Sequence, residues 1–213
     1  MGRLLTGLAL AAVVATAAAG VARAAGEYER RLGAEIAVLV GDARRLTEPM
    51  PEPQRAGIVE RIAAGLGGLP LLIRQARETN SNLPPVPRED MAAIRKALAE
   101  RQLVVVLAGL AALARSYPFD TAGILPAEAT PERLAAGKAI HETTCAGCHD
   151  HTDAGAMLPA HDLFRWARVM PEGEFAARLY TGVRGDALTA LANPFGTEDL
   201  AALFAYYRAG PEK

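Results

Sequence analysis

The chain has 213 residues, a formal net charge of −1 and a hydrophobic fraction of 51%, with only 5% aromatic residues. This length suits one or two small domains, and the balanced charge gives no indication of nucleic-acid binding. Alanine and leucine are abundant and β-branched runs are few, so the composition favours an all-α fold.

The first residues are typical of an export signal. Arg3 supplies a positive charge, the uncharged run from Leu4 to Ala22 supplies an apolar core, and Ala22-Arg23-Ala24 is a small-x-small cleavage site. We therefore expect residues 1–25 to be a signal peptide and the mature chain to be periplasmic, with no stable membrane span after cleavage. An uncleaved membrane anchor is the alternative, because an uncharged run of ~20 residues is nearly long enough to cross a bilayer.

Residues 26–118 are predicted to form an antiparallel helical bundle domain. Apolar residues recur at helical spacing from Glu27 to Glu48, from Gln54 to Glu78 and from Arg88 to Tyr117. Pro70 and the glycines before it should kink or split the second helix. The region contains no cysteine or histidine, so we expect a docking or structural unit. Residues 119–129, with Gly123 and Pro126, are predicted to be a linker.

The segment Cys145-Ala146-Gly147-Cys148-His149 contains the only two cysteines of the chain. Two cysteines three apart, followed by histidine, match the attachment pattern of a c-type haem. Each thiol adds to one haem vinyl group, and the adjacent imidazole becomes an axial iron ligand. The motif therefore predicts one covalent haem c, bound through Cys145 and Cys148, with His149 as the proximal ligand.

Three other interpretations of the cysteine pair are weaker. A zinc site would use Cys145, Cys148, His151 and His161, but the pairs are closer together than in the common zinc finger. A thiol redox centre would be expected in a strand–helix context, which the surrounding sequence lacks. A structural disulfide would close a loop of only two residues and stabilise little.

Residues 130–210 resemble the class I c-type cytochromes. Gly137-Lys138-Ala139-Ile140, followed by the Cys145–His149 motif, resembles their N-terminal helix, and Thr197–Arg208 looks like their last helix. The segment Gly182–Asp186 and Pro194 also resemble the stretch before that helix. The resemblance implies a cytochrome c-like helical domain over residues 130–210. Residues 26–118 lie outside it, and a haem-less relic of a second such domain is a weaker interpretation of them.

The resemblance also implies roles for individual residues. A family proline whose carbonyl accepts the proximal imidazole N–H corresponds to Pro159, although a plain loop proline is the alternative. His141 is expected at the surface or near a propionate. The family's axial methionine belongs in the stretch 187–194, which here has neither methionine nor histidine. Met170 is the first distal candidate, followed by His161 and Met157; an open or water-ligated iron is at least as compatible with the sequence.

Together these features predict an exported monohaem c-type cytochrome that transfers electrons by Fe(II)/Fe(III) cycling and is not an enzyme. Its partner would be a redox protein, docked through the N-terminal helical domain. The alternative is a haem protein that binds or senses a small ligand, or a haem enzyme, with an open sixth coordination site. A third interpretation is an assembly subunit whose N-terminal bundle carries its main role.

Overall fold

The structure is a computed structural model that describes residues 25–184, 190–191 and 193–210. The expected signal peptide lies outside these residues except for Ala25, as do positions 187–189 and 192 of the stretch considered for the distal ligand. The described chain is all-α, as the composition predicts. Its one strand pair, β1 (Val183–Arg184) and β2 (Ala190–Leu191), is an antiparallel ladder of two residues a side.

Four helices make up the N-terminal part: α1 (Glu27–Arg45), α2 (Glu52–Thr79), α3 (Arg88–Ala99) and α4 (Leu103–Ser116). Their apolar residues recur every three to four positions, so each helix presents one apolar face. These faces meet in a single buried cluster that includes Leu32, Ile36, Ile58, Ile62, Leu66, Met91, Ile94, Val106 and Leu110. We call this part the N-terminal helical unit.

Helix α2 continues through Pro70, where the sequence predicts a kink or a split. Proline has no N–H to offer to the carbonyl four residues earlier, which belongs to Leu66. Arg95 of α3 donates to that carbonyl at 2.8 Å, so a side chain replaces the missing backbone bond. By length and composition α2 is also the one described helix that could cross a membrane, but its apolar face is packed in the core of the unit.

The helix predicted over residues 88–117 is interrupted between α3 and α4. Arg101 has φ 57°, in the left-handed region that ends many helices. Gln102 N–H donates to the Ala97 carbonyl at 2.8 Å, and Arg101 N–H donates to Leu98 at 3.1 Å. This bond pair closes a helix C-terminus. Glycine normally marks such an end, and its absence here explains why the sequence predicts one helix.

The C-terminal part contains α5 (Pro131–Ile140), a π-helical turn (His141–Cys145), α6 (Ala146–His149), α7 (Leu163–Val169), α8 (Glu172–Thr181) and α9 (Thr197–Ala209). A second buried cluster joins α7, α8 and α9 through Phe164, Phe175, Leu200, Leu203, Phe204 and Tyr207. Helices α5 and α9 cross at Gly137, where a Cβ atom would overlap the Ala202 carbonyl and lie 2.6 Å from the Cβ of Tyr206. Only glycine allows this approach.

The two parts are in contact along α1 and α8, where Ala34, Val38 and Ala177 are buried together. Residues 119–129, expected to be a linker, are themselves packed: Ile124 is fully buried in the C-terminal cluster. Arg30 of α1 also donates to the backbone carbonyl of Asp120 at 2.9 Å. The connection therefore contributes to the interface as well as joining the two parts.

Candidate functional site

The Cys145–His149 motif begins where the chain leaves α5 through the π-helical turn and enters α6. Such wide turns within helices are frequent at functional sites. Cys145 and Cys148 are three residues apart in a helical segment, so their side chains lie on the same side of it. Cys145 is partly buried, Cys148 is exposed, and both thiols are free. The motif therefore presents two thiols to one partner.

The His149 imidazole is oriented by a backbone carbonyl. Its Nδ1 lies 2.6 Å from the carbonyl oxygen of His161. A carbonyl only accepts hydrogen bonds, so Nδ1 carries the proton and Nε2 has its lone pair available. Burial lowers the pKa of His149, outweighing the bond to His161, which acts in the opposite direction. The ring is thus held in the neutral form that ligates metals.

The carbonyl that meets the His149 ring belongs to His161 and not to Pro159, the residue that the resemblance implies. The loop between α6 and α7 lies against the start of α2: Gln54 donates to the Ala154 carbonyl at 3.3 Å, and a Cβ atom on Gly57 would lie 2.7 Å from the Met157 carbonyl. These contacts hold the loop so that the carbonyl of His161 faces His149. Pro159 was expected from the resemblance alone, which does not include α2.

The His161 side chain is held by one ring contact and one hydrogen bond. Its ring stacks on Trp166 with centroids 3.9 Å apart and planes 20° from parallel. Nη2 of Arg45, from α1, lies 3.1 Å from its Nε2. Arginine can only donate, so Nε2 accepts and the ring is neutral with its proton on Nδ1. Burial, followed by the charge of Arg45, lowers the pKa of His161 to about 3.

A buried charge network lies beside this contact. Asp42 of α1 has no solvent exposure and accepts from Arg61 of α2 at 2.7 and 2.6 Å and from Arg178 of α8 at 2.9 Å. Arg178 also donates to Glu174 at 2.8 Å. Burial alone would raise the pKa of Asp42, but Arg178 and Arg61 together hold it below its ordinary value. The network joins helices of both parts of the molecule, and its carboxylate is charged.

Tyr207 connects α9 to the motif from the opposite direction. Its hydroxyl lies 3.0 Å from Nδ1 of His141 and contacts the Cys145 thiol. Burial raises the pKa of Tyr207, so the phenol is protonated. His141 is only 3% exposed, whereas the sequence places it at the surface or near a propionate. The π-helical turn directs His141 towards α9, and no sequence pattern predicts that turn.

The candidate distal residues lie in different surroundings. Met170 is partly buried and packs against the C-terminal cluster, while Met157 is 44% exposed on the loop against α2. The carbonyl of His161 meets the ring edge of His149 that faces away from Nε2. The loop that carries Met157 and His161 therefore lies on the Nδ1 side of the His149 ring. Among the three candidates, only Met170 is outside that loop.

The weaker interpretations of the motif gain no support. Within the described ranges, no group of three or more histidine, cysteine or acidic side chains is placed to hold a metal ion. His151, needed for the zinc set, is exposed, and the His161 ring is bound to Arg45. The free thiols also give no indication of a disulfide.

No family model, curated protein or solved structure matches the chain. The site is therefore judged on its own chemistry. Two free thiols share one helical face, and the adjacent imidazole is neutral with Nε2 available. A carbonyl fixes its orientation, as outer contacts do for metal-bound histidines in general. These residues fit a covalently attached haem.

Proposed function

We propose that this chain is an exported monohaem c-type cytochrome that transfers electrons. The observation that carries the proposal is the arrangement of the motif: Cys145 and Cys148 on one helical face, and His149 held through Nδ1 by the His161 carbonyl. A disulfide has no need for an oriented histidine, and a zinc site would need a fourth ligand, which the described residues do not place beside the motif. An axial haem ligand requires an oriented histidine, because a defined ring orientation keeps Nε2 directed at the iron.

Each residue of the motif has a separate role in this proposal. Cys145 and Cys148 would hold the haem through two thioether bonds, which fix its plane against the helix. His149 would ligate the iron through Nε2, and the Nδ1–H bond to His161 would make it a stronger donor. When bound, the haem supplies one-electron cycling of its iron between Fe(III) and Fe(II). As an electron carrier, the chain would need only to hold the haem and set the properties of its iron.

The finer architecture belongs to the same proposal. We infer a cytochrome c-like domain over residues 130–210, supported by the close crossing of α5 and α9 at Gly137 on either side of the attachment motif. We infer an antiparallel bundle for residues 26–118, supported by the shared core of α1 to α4. Residues 1–25 would direct export to the periplasm. In the periplasm a redox partner protein would dock on this chain, with the N-terminal helical unit as the expected contact surface.

The test is expression of the full chain in a bacterium that has a c-type haem maturation system. We expect haem to remain on the chain in a denaturing gel stained for haem, and a reduced-minus-oxidised spectrum of a c-type haem. The double variant Cys145→Ala, Cys148→Ala should lose the stain because both thioether bonds are gone. His151→Ala is the matched control, since this exposed histidine lies just beyond the motif. Wild-type protein exported without haem would overturn the proposal.

A second function deserves a test because of what surrounds the distal candidates. His161 and Met157 lie on the proximal loop, and Met170 packs against the C-terminal cluster. This arrangement favours a sixth coordination site without a protein ligand, which would bind or sense a small molecule. Addition of carbon monoxide to the reduced holoprotein separates the two functions. A rapid, complete spectral change supports the open site, and an unchanged low-spin spectrum supports a ligated electron carrier.

A further inference from the structure

Besides the contacts of α2 with the loop before α7, the N-terminal helical unit contacts the His161 ring itself through Arg45, at the C-terminal end of α1. Its Nη2 lies 3.1 Å from Nε2 of His161, and its guanidinium carbon lies 4.7 Å from the centroid of the Trp166 ring. The His161 ring is stacked on the same indole. Arg45 and Trp166 therefore restrain the His161 ring together.

We propose that Arg45 is a positioning residue for the proximal iron ligand: by holding the His161 side chain on Trp166, it fixes the His161 carbonyl on Nδ1 of His149. The inference rests on the proposed function, because it assigns a role toward a haem iron. On this proposal the N-terminal helical unit contributes to the haem site through α1, a helix that lies outside the cytochrome-like region.

The surrounding contacts explain why Arg45 can hold this position. Asp42 lies three residues earlier, on the same face of α1, and is bound by Arg61 of α2 and Arg178 of α8. This buried network fixes α1 relative to α8. On the His161 side of the contact, Asp162 caps α7 by accepting from Phe164 N–H at 2.9 Å. This bond fixes the backbone next to His161. Arg45 therefore lies between two anchored segments.

A guanidinium suits this position better than an ammonium. It is planar, donates in a fixed direction and stacks on aromatic rings, whereas lysine is a compact, flexible point charge. Arg45→Lys keeps the charge near the site but loses the planar contact with His161 and Trp166. It therefore separates positioning from simple electrostatics. Arg44→Lys is the matched control, because Arg44 is the adjacent residue on α1 and its side chain is 58% exposed.

The experiment uses the full-length holoprotein and two readouts: solvent exchange of the His149 Nδ1 proton by NMR, and the reduction potential. Loss of one ordinary hydrogen bond shifts a population by roughly tenfold, so Arg45→Lys should speed the exchange by about that factor. It should also raise the potential, because a weaker N–H bond makes the imidazole a poorer donor to Fe(III). Arg44→Lys should change neither.

Trp166→Leu provides a second route should Arg45→Lys fail to fold, since it removes the surface on which His161 stacks. It should also speed the exchange and raise the potential. A lower unfolding temperature with unchanged proton exchange and potential, in whichever variant folds, would overturn the inference and leave Arg45 a purely structural residue. Wild-type protein that carries no haem would instead overturn the proposed function, and the two failures are distinguishable by haem content alone.

Discussion

At the scale of single residues, Asp42 shows how much one buried charge depends on its partners. Its carboxylate is fully buried, and it is bound by arginines from α2 and α8 at 2.6 to 2.9 Å. Removing one member of a buried ion network leaves the remaining charges without compensation, which costs more than the pair itself contributes. The position therefore matters for stability even though it lies outside the proposed haem site.

Asp42→Asn should lower the free energy of unfolding by roughly 3–5 kcal/mol, because Arg61 and Arg178 would keep their buried charges without the anion. Urea denaturation of the two proteins measures the difference. Glu78→Gln is the control: its exposed ion pair with Arg74 spans 3.8 Å and should contribute no more than about 1 kcal/mol. Equal losses for the two variants would contradict this account of the network.

The same carboxylate predicts an acid dependence of stability. Its folded-state pKa is depressed by Arg178 and Arg61 against the effect of burial. Its stabilising contribution is therefore present above the unfolded pKa of about 4 and is lost as the pH falls through the lower, folded value. The difference in urea midpoint between wild type and Asp42→Asn should narrow on going from pH 7 to pH 3. A constant difference over this range would contradict the assignment.

At the scale of elements, the helices follow their sequence signals with two exceptions, one at Pro70 and one at Arg101. The first two predicted helices agree with α1 and α2 to within about three residues at each end. Pro70 should have broken α2, but Arg95 of another helix binds the carbonyl that the proline leaves without a partner. A separate break, which the sequence does not predict, divides the third predicted helix at Arg101. The positive φ of this residue is unusual for an arginine.

Two glycine-to-alanine substitutions should have opposite effects on the free energy of unfolding, because one glycine is closely packed and the other is not. At Gly137 the added methyl group would overlap the Ala202 carbonyl of α9, so Gly137→Ala should destabilise the fold by about 1–3 kcal/mol. At Gly68 of α2 nothing lies within 4 Å of the added Cβ atom, so Gly68→Ala should stabilise the helix by roughly 0.5–1 kcal/mol. Thermal unfolding measures both effects. Unfolding temperatures that shift in the same direction in the two variants would contradict the close crossing of α5 and α9.

At the scale of the whole molecule, the N-terminal helical unit and the C-terminal part share an interface with apolar and charged components. Ala34 and Val38 of α1 are buried against Ala177 of α8, and Phe119 contacts Tyr180 with ring centroids 5.6 Å apart. Phe119 and Asp120, at the start of the predicted linker, are part of this contact. The arrangement makes the stability of the C-terminal part depend on α1.

A chain from which residues 26–118 are deleted should therefore unfold at a lower temperature than the full protein. The deletion exposes the apolar face of α8 and leaves Arg178 without Asp42. Circular dichroism of the two haem-loaded proteins during heating measures the effect. An unchanged midpoint would mean that the two parts fold independently and that the interface contributes nothing to stability.

The sequence by itself determines those features that depend on local spacing. The apolar periodicity specifies the all-α class and most helix positions, and Cys145 to His149 specify the proposed haem chemistry, because these residues are neighbours in one helical segment. It also shows that residues 187–194 contain no methionine or histidine. Thr130 at the start of α5, which accepts from the N–H of Arg133, is likewise a local signal.

Only the tertiary structure decides which groups meet across the molecule. The carbonyl that orients His149 belongs to His161 and not to Pro159, because α2 sets the path of the intervening loop. The contact of Arg45 with His161 joins residues 116 positions apart. No local pattern encodes such a contact, since it depends on how α1 packs on α8. For that reason the sequence predicts the proximal ligand, while the groups that hold it emerge only from the packing of the two parts.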